Sequence, residues 1–227
     1  MADRVEYFAL VQARPELFAN PPGAGFEILL DEAEIRDAQA QAAARLQAAG
    51  APPGWSEVGV AFHDQYALIL RDAVRYANGS AGTYIRLVDA YPGIVGVVVL
   101  PLWQRQVLLI SHFRHATRRW HLEIPRGFGR GSDPRHDAER ELREEVGAEG
   151  IALTSLGHVY PDTGTAQSRV ALFCAEVTSY GKPETIEGIT DIQPTPLAEF
   201  EQMIAEGAIE DGYVLAAYAR AKARNLI

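Results

Sequence analysis

Apolar residues recur along this chain with two periods, and a few stretches are apolar throughout. Val58, Val60 and Phe62 fall on every second position, as do Tyr66, Leu68 and Leu70, the spacing of strands with one buried face. Asp64-Gln65 reads as a turn between them, and Asn78-Gly79 is a strong hairpin signal. Residues 83–89 supply a third strand, so residues 56–90 are predicted to form a small antiparallel sheet. The stretch 93–100, Gly-Ile-Val-Gly-Val-Val-Val-Leu, has no polar side chain at all, which suits a strand covered on both faces. Further strands are expected over residues 106–112, 151–159, 168–177 and 189–193, with Val170, Leu172 and Cys174 on one face.

The helical period appears in four other places. Residues 7–12 carry a short helical pattern. Asp31 opens a clearer helix, with Glu34 placed to complete a capping box. Its stripe runs Ile35, Ala38, Ala42, Leu46, Ala49, and Gly50 with Pro52-Pro53 ends it. A stripe of alanines permits close approach to another helix but buries little apolar area per residue. It fits a packing or dimer element, and equally a surface helix on its own subunit. Thr195 is expected to cap a helix with Pro196 at its first position and Leu197, Phe200 and Ile204 inward; Gly207 ends it. Asp211 starts a last helix to about residue 223, with Val214, Ala217, Tyr218 and Ala221 for packing. The organisation is α+β: a helical N-terminal extension (1–55), a small antiparallel sheet (56–90), and a main domain of mixed strands and helices (91–227).

Composition narrows the function classes. At 227 residues the chain is long enough for a substantial core, and 48% hydrophobic with 22% charged residues is ordinary for a globular protein. A formal net charge of -9 argues against non-specific binding to nucleic acid or to an anionic membrane. A polyanionic small molecule still suits an acidic protein when a divalent cation supplies local positive charge. The single cysteine, Cys174, lies in an apolar run and reads as a reduced core residue. No stretch has a signal-peptide layout or the length to span a bilayer, so a cytoplasmic location is the expectation.

The chemistry concentrates in residues 123–147, EIPRGFGRGSDPRHDAERELREEVG. A glycine-rich turn leads to Asp133, a capping residue, and Pro134, suited to the first helical position. On the helix that follows, Glu141 and Glu145 stand one turn apart with Glu144 beside them, while Ala138, Leu142 and Val146 form a neighbouring apolar face. Crowded carboxylates repel one another, and hard oxygen ligands beside a glycine turn are what Mg²⁺ or Mn²⁺ requires. A solvated acidic face paired with Arg140 and Arg143 is the alternative for the helix taken alone.

The whole stretch resembles the Nudix box. Arg140, Glu141, Leu142, Glu144, Glu145, Gly147 and Ala148 match its dense end in order. The family's first Glu falls on Ser132, and Gly127 stands one residue closer to it than the pattern has. From about residue 56 onward the order of elements is similar to the ADP-ribose pyrophosphatase branch, with Arg114 and Trp120-His121-Leu122-Glu123-Ile124-Pro125-Arg126-Gly127 ahead of the box. Here Arg126 stands where the branch has a small residue. The branch's proline loop is matched loosely by Pro161 and Gly164, and Gln167 and Ser168 occupy the place of its following Glu.

The resemblance implies a mixed sheet between helices and hydrolysis of a nucleoside diphosphate linked to another group, most directly ADP-ribose or a nucleotide sugar. It implies Mg²⁺ (or Mn²⁺) held by Glu141, Glu144, Glu145 and the backbone carbonyl of Arg126, with Glu145 essential to catalysis. It points to a general base on a late loop, for which Glu187 and Glu184 are the candidates. Arg114 and Arg126 would contact phosphate, Trp120 or Tyr160 would stack on a base, and Arg140 would hold the glutamates. A homodimer joined through residues 56–90 also follows from the branch. A nucleotide-binding module without turnover is the competing reading, motivated by Ser132, the shortened loop and the absent downstream Glu.

Overall fold

A computed structural model of the protein describes residues 2–131, 133–182 and 188–227. The chain forms two units, Met1–Pro92 with Asp162–Ser168, and Gly93–Pro161 with Arg169–Ile227.

In the first unit, α1 (Arg4–Ala13) is capped by Asp3, whose carboxylate accepts from the Glu6 N–H at 2.9 Å. It is followed by β1 (Phe26–Leu29), α2 (Glu32–Ala48), β2 (Gly59–His63), β3 (Leu68–Tyr76) and β4 (Ala81–Val88). Long β3 is the centre of the sheet. It pairs antiparallel with β4, and through different stretches of its length with β1 and β2. Residues from both sides of position 55 share one core, in which Tyr7, Ile35, Ala38, Leu68 and Leu70 pack together. The Tyr7 hydroxyl donates to Asp72 at 2.6 Å, and Arg86 pairs with the same buried carboxylate at 2.6 Å. Burial, then the neighbouring Asp72, pushes the Tyr7 phenol well above its ordinary pKa. Residues 162–168 run along β4, where the Leu87 N–H donates to Thr165 O at 2.8 Å and the Gln167 N–H to Leu87 O at 2.9 Å.

Two local expectations fail here. β1 has no counterpart in the sequence reading, because four residues are too few for a period to show. The capping box at Asp31 does not close. Asp31 accepts from the Ala33 and Glu34 N–H groups, but the Glu34 carboxylate goes to the Arg75 guanidinium at 2.6 Å. A charge-assisted bond to arginine is stronger than one to a neutral amide.

The second unit is built on a mixed sheet. Its strands are β5 (Gly96–Trp103), β6 (Gln106–Arg114), β7 (Arg119–Glu123), β8 (Arg126–Gly127), β9 (Ala152–Val159), β10 (Val170–Glu176) and β11 (Ile189–Pro196). The order is β11-β6-β5-β10-β9, with β7 on β6 and β8 on β5. β10 runs parallel to β5, and the other pairings are antiparallel. The helices are α3 (Pro134–Val146), α4 (Leu197–Ala205) and α5 (Gly212–Ala223).

The uninterrupted apolar run becomes β5, and it is covered on both faces as expected. Val97 and Val99 pack with Ala138, Leu142 and Val146 of α3, while Val98 and Leu100 pack with Phe200 of α4 and Val214, Ala217 and Ala221 of α5. β10 divides likewise, with Ala171, Phe173 and Ala175 on the α3 side and Leu172 and Cys174 on the other. Burial, then Glu176, pushes the Cys174 thiol up to about 11, so it is an inert core group. One boundary shifts: β11 continues through Thr195, and Pro196 rather than Thr195 is the N-cap of α4. The Thr195 hydroxyl donates to Gln193 O at 3.1 Å, because the residue is still held in the ladder against Val107.

Candidate active site

The chain between β7 and β8 wedges into the sheet. β5 and β6 pair directly only at their hairpin, Leu102 with Val107 and Trp103 with Gln106. Beyond that point β7 lies against β6, and β8 against β5, with the Val99 N–H donating to Pro125 O at 2.9 Å. Glu123, Arg126 and Gly127 are thereby set at the opened end of the sheet.

α3 starts as its sequence predicts, with Asp133 accepting from the Arg135 N–H at 3.0 Å and Pro134 at the first helical position. It stops at Gly147, whose left-handed φ of 57° and N–H to Arg143 O at 3.0 Å close the last turn. With Leu142 and Val146 fixed in the core, the helix turns Glu141 and Glu145 toward the wedge. Both are buried, as is Asp137 one turn earlier. The Arg126 N–H donates to Glu145 Oε2 at 3.1 Å. At Gly127 the backbone comes so close to Glu141 that a Cβ would stand 2.0 Å from its Oε1, so any larger residue would have to displace that carboxylate.

Arg140 holds the acids in place. Its guanidinium reaches Glu141 and Glu144, each at 2.6 Å, lies 3.5 Å from Asp137, and donates to Phe128 O at 3.1 Å. Burial pulls its pKa down, but Glu141 and Glu144 outweigh that and leave it above the usual arginine value. A second cluster forms behind β8. Glu123, only 2% exposed, accepts from Arg114 Nε at 2.8 Å and from Arg126 at 3.1 Å, and Arg126 also donates to Asp211 at 2.8 Å. Between the clusters lies a cavity of about 490 Å³, lined by Arg114, Arg126, Arg130, Arg140, Glu141 and Tyr213 among others. Four arginines line this cavity, each of them ion-paired with an acid: Arg114 and Arg126 with Glu123, Arg130 and Arg140 with Glu144.

The NUDIX domain family matches residues 92–218, more than half of the chain. The protein belongs to the Nudix family. The chain is 33% identical over 107 residues to an ADP-ribose pyrophosphatase of Bacillus subtilis (strain 168), a match covering 47% of this chain and 56% of that protein. The chain thus spans little more than half the length of that relative. It is 30% identical over 146 residues to the methanol dehydrogenase activator of Bacillus methanolicus, covering 62% of this chain and 76% of the activator. A crystal structure of an ADP compounds hydrolase superposes with a TM-score of 0.60 at 17% identity, over 75% of this chain and 95% of that one. At that identity the likeness concerns the fold alone.

Within this Nudix site the expected residues separate into groups. Glu141, Arg114 and Arg126 line the cavity, Glu145 meets the Arg126 amide, and Glu144 pairs with Arg140. Trp120 and Tyr160 are not in the lining of the arginine-rich cavity. Trp120 is half-exposed, stacks edge-on with Phe113 at 5.4 Å, and borders a different pocket with His121 and Glu210. Tyr160 is half-exposed just past the end of β9. Glu184 and Glu187 lie outside the described residues, as does Ser132. Glu123 and Asp211 are site residues that the sequence reading passed over. A glutamate between Leu122 and Ile124 was the available signal, since a carboxylate flanked by apolar residues needs a cation when buried, and Arg114 of β6 supplies it.

The donor set suits a hard divalent cation. Glu141, Glu144 and Glu145 bring carboxylate oxygens from one turn of helix, and the missing Cβ of Gly127 leaves room for Glu141 at the cavity wall. With Arg140 bridging Glu141 and Glu144, no three His, Cys, Asp or Glu side chains among the described residues converge into a ready-made cage. No helix among the described residues is long and apolar enough to cross a membrane.

Proposed function

We propose that this protein hydrolyses a nucleoside diphosphate linked to a second group, with ADP-ribose or a related nucleotide sugar as substrate and AMP plus a sugar phosphate as products. One observation carries the reading: Glu141, on the turn of α3 that also bears Glu144 and Glu145, lines a cavity together with Arg114, Arg126, Arg130 and Arg140. The name of the Bacillus subtilis relative supports an ADP-containing substrate.

Glu141, Glu144 and Glu145 would hold Mg²⁺ or Mn²⁺, joined by the backbone of Arg126. When bound, the cation neutralises charge on the diphosphate oxygens and acidifies water. The residues of the chain do the rest. Arg114 and Arg130 orient the diphosphate by guanidinium contacts. Gly127 lets the peptide chain lie against Glu141. A water oxygen bonds to one phosphorus while the oxygen bridging the two phosphorus atoms leaves with the other. Glu187 is our first choice for the group that takes the water's proton, with Glu184 second, at a gain of about 10²–10⁴-fold. Trp120 or Tyr160 is proposed to stack on the base. The protein is proposed to work in the cytoplasm as a homodimer joined through residues 56–90, with neither nucleic acid nor membrane as partner.

The test is AMP release from ADP-ribose with Mg²⁺. The wild type is expected to turn over, and Glu145→Gln to lose about 10²-fold or more in kcat. Binding of the nucleotide without turnover on a panel of nucleoside diphosphate derivatives would identify a non-catalytic binding module instead.

A further inference from the structure

The side chain of Arg126 stands where two elements 85 positions apart meet. One terminal nitrogen donates to Asp211 Oδ2 at 2.8 Å and the other to Glu123 Oε1 at 3.1 Å. The guanidinium carbon lies 5.0 Å from the ring centroid of Tyr213. Asp211 is at the same time the N-cap of α5, accepting from the Tyr213 and Val214 N–H groups, both at 3.0 Å. Meanwhile the backbone N–H of Arg126 donates to Glu145 at 3.1 Å. One residue therefore ties α5 and β7 through its side chain and α3 through its peptide.

β8 needs such an anchor. It is two residues long and has two ladder partners, Val97 and Val98. So short a strand does not hold its own position, and the wedge it ends carries the peptide that meets Glu145. A guanidinium is a rigid planar fork, so engaging both terminal nitrogens with carboxylates on different elements fixes its base as well as its tip.

We infer that Arg126 is a positioning residue: the Glu123–Arg126–Asp211 clamp sets the peptide that faces Glu145 and links the first turn of α5 to the acidic helix. The side chain then acts through Glu145 rather than by gripping phosphate. The kinetic part of this inference rests on the hydrolase reading above; the structural part does not.

Asp211→Asn separates the clamp from the cap, since asparagine caps a helix as well as aspartate but carries no charge. Hydrogen–deuterium exchange at the Arg126 amide is expected to quicken about tenfold in Asp211→Asn, with α5 amides still protected. Arg126→Ala is expected to lower kcat and Mn²⁺ affinity by about tenfold each while KM moves less than about threefold. Adding Asp211→Asn to Arg126→Ala should cost nothing more, because both break one interaction. An unchanged Arg126 amide in Asp211→Asn, or a raised KM with kcat and Mn²⁺ affinity intact in Arg126→Ala, overturns the inference. Should the wild type turn over no nucleoside diphosphate derivative, the hydrolase reading falls and the exchange experiment decides the clamp by itself.

Discussion

At the scale of single residues, the site depends on how close a backbone is allowed to come to a carboxylate. Gly127 has no Cβ, and the space that atom would fill belongs to Glu141. Gly127→Ala must therefore push either β8 or the Glu141 side chain away. The expected result is a folded protein with kcat lowered about tenfold or more and weaker Mn²⁺ binding, by steady-state kinetics and titration. Normal kinetics in Gly127→Ala would show that the Glu141 carboxylate does not need its present place. The acidic trio itself was legible from spacing alone, because helical geometry fixes which residues share a turn. The clamp was not. Arg126 and Asp211 are brought together by the fold of the whole unit, and no local period connects them. Glu123 was legible in principle as a charge between Leu122 and Ile124.

At the scale of elements, α3 is a lever held at both ends, by Asp133 and Gly147, and anchored along one face. Leu142 is fully buried with residues of β5, β6 and β10, immediately after Glu141 and two positions before Glu144 in sequence. Leu142→Ala is expected to destabilise the protein by about 2–5 kcal/mol in urea unfolding, the cost of a large cavity in a packed core. A loss below about 1 kcal/mol would mean that the helix is not seated as described. Strands with strong patterns are legible: β5 has no charged residue and β10 only Glu176 at its exposed end, and each is buried on both faces. β1, β7 and β8 have no counterpart among the expected strands, because four, five and two residues carry too little pattern. The cap at Thr195 was misplaced because a strand ladder outcompeted a local capping bond.

At the scale of the whole molecule, the overall charge of -9 extends to the site: the arginines of the cavity are matched by Glu123, Asp211, Glu141 and Glu144, so the proposed diphosphate would need a divalent cation as its partner. The sheet of the first unit bears on the proposed homodimer. Phe62, Ile69 and Leu87 face one another across β2, β3 and β4, and Phe62 and Leu87 are exposed, as is neighbouring Ile85. A row of exposed apolar side chains on a sheet is a surface suited to a second copy. Light scattering is expected to give twice the 24.8 kDa chain mass. A mass equal to one chain would remove the dimer without touching the site chemistry.

The central claim, that Glu141, Glu144 and Glu145 hold a divalent cation against a diphosphate, is tested most directly by anomalous diffraction from crystals with Mn²⁺ and a non-hydrolysable ADP-ribose analogue. The predicted result is anomalous density about 2.0–2.2 Å from carboxylate oxygens of this trio, shared with the diphosphate of the analogue. Bound analogue with no such density, and Glu141 and Glu144 still held by Arg140, would contradict it.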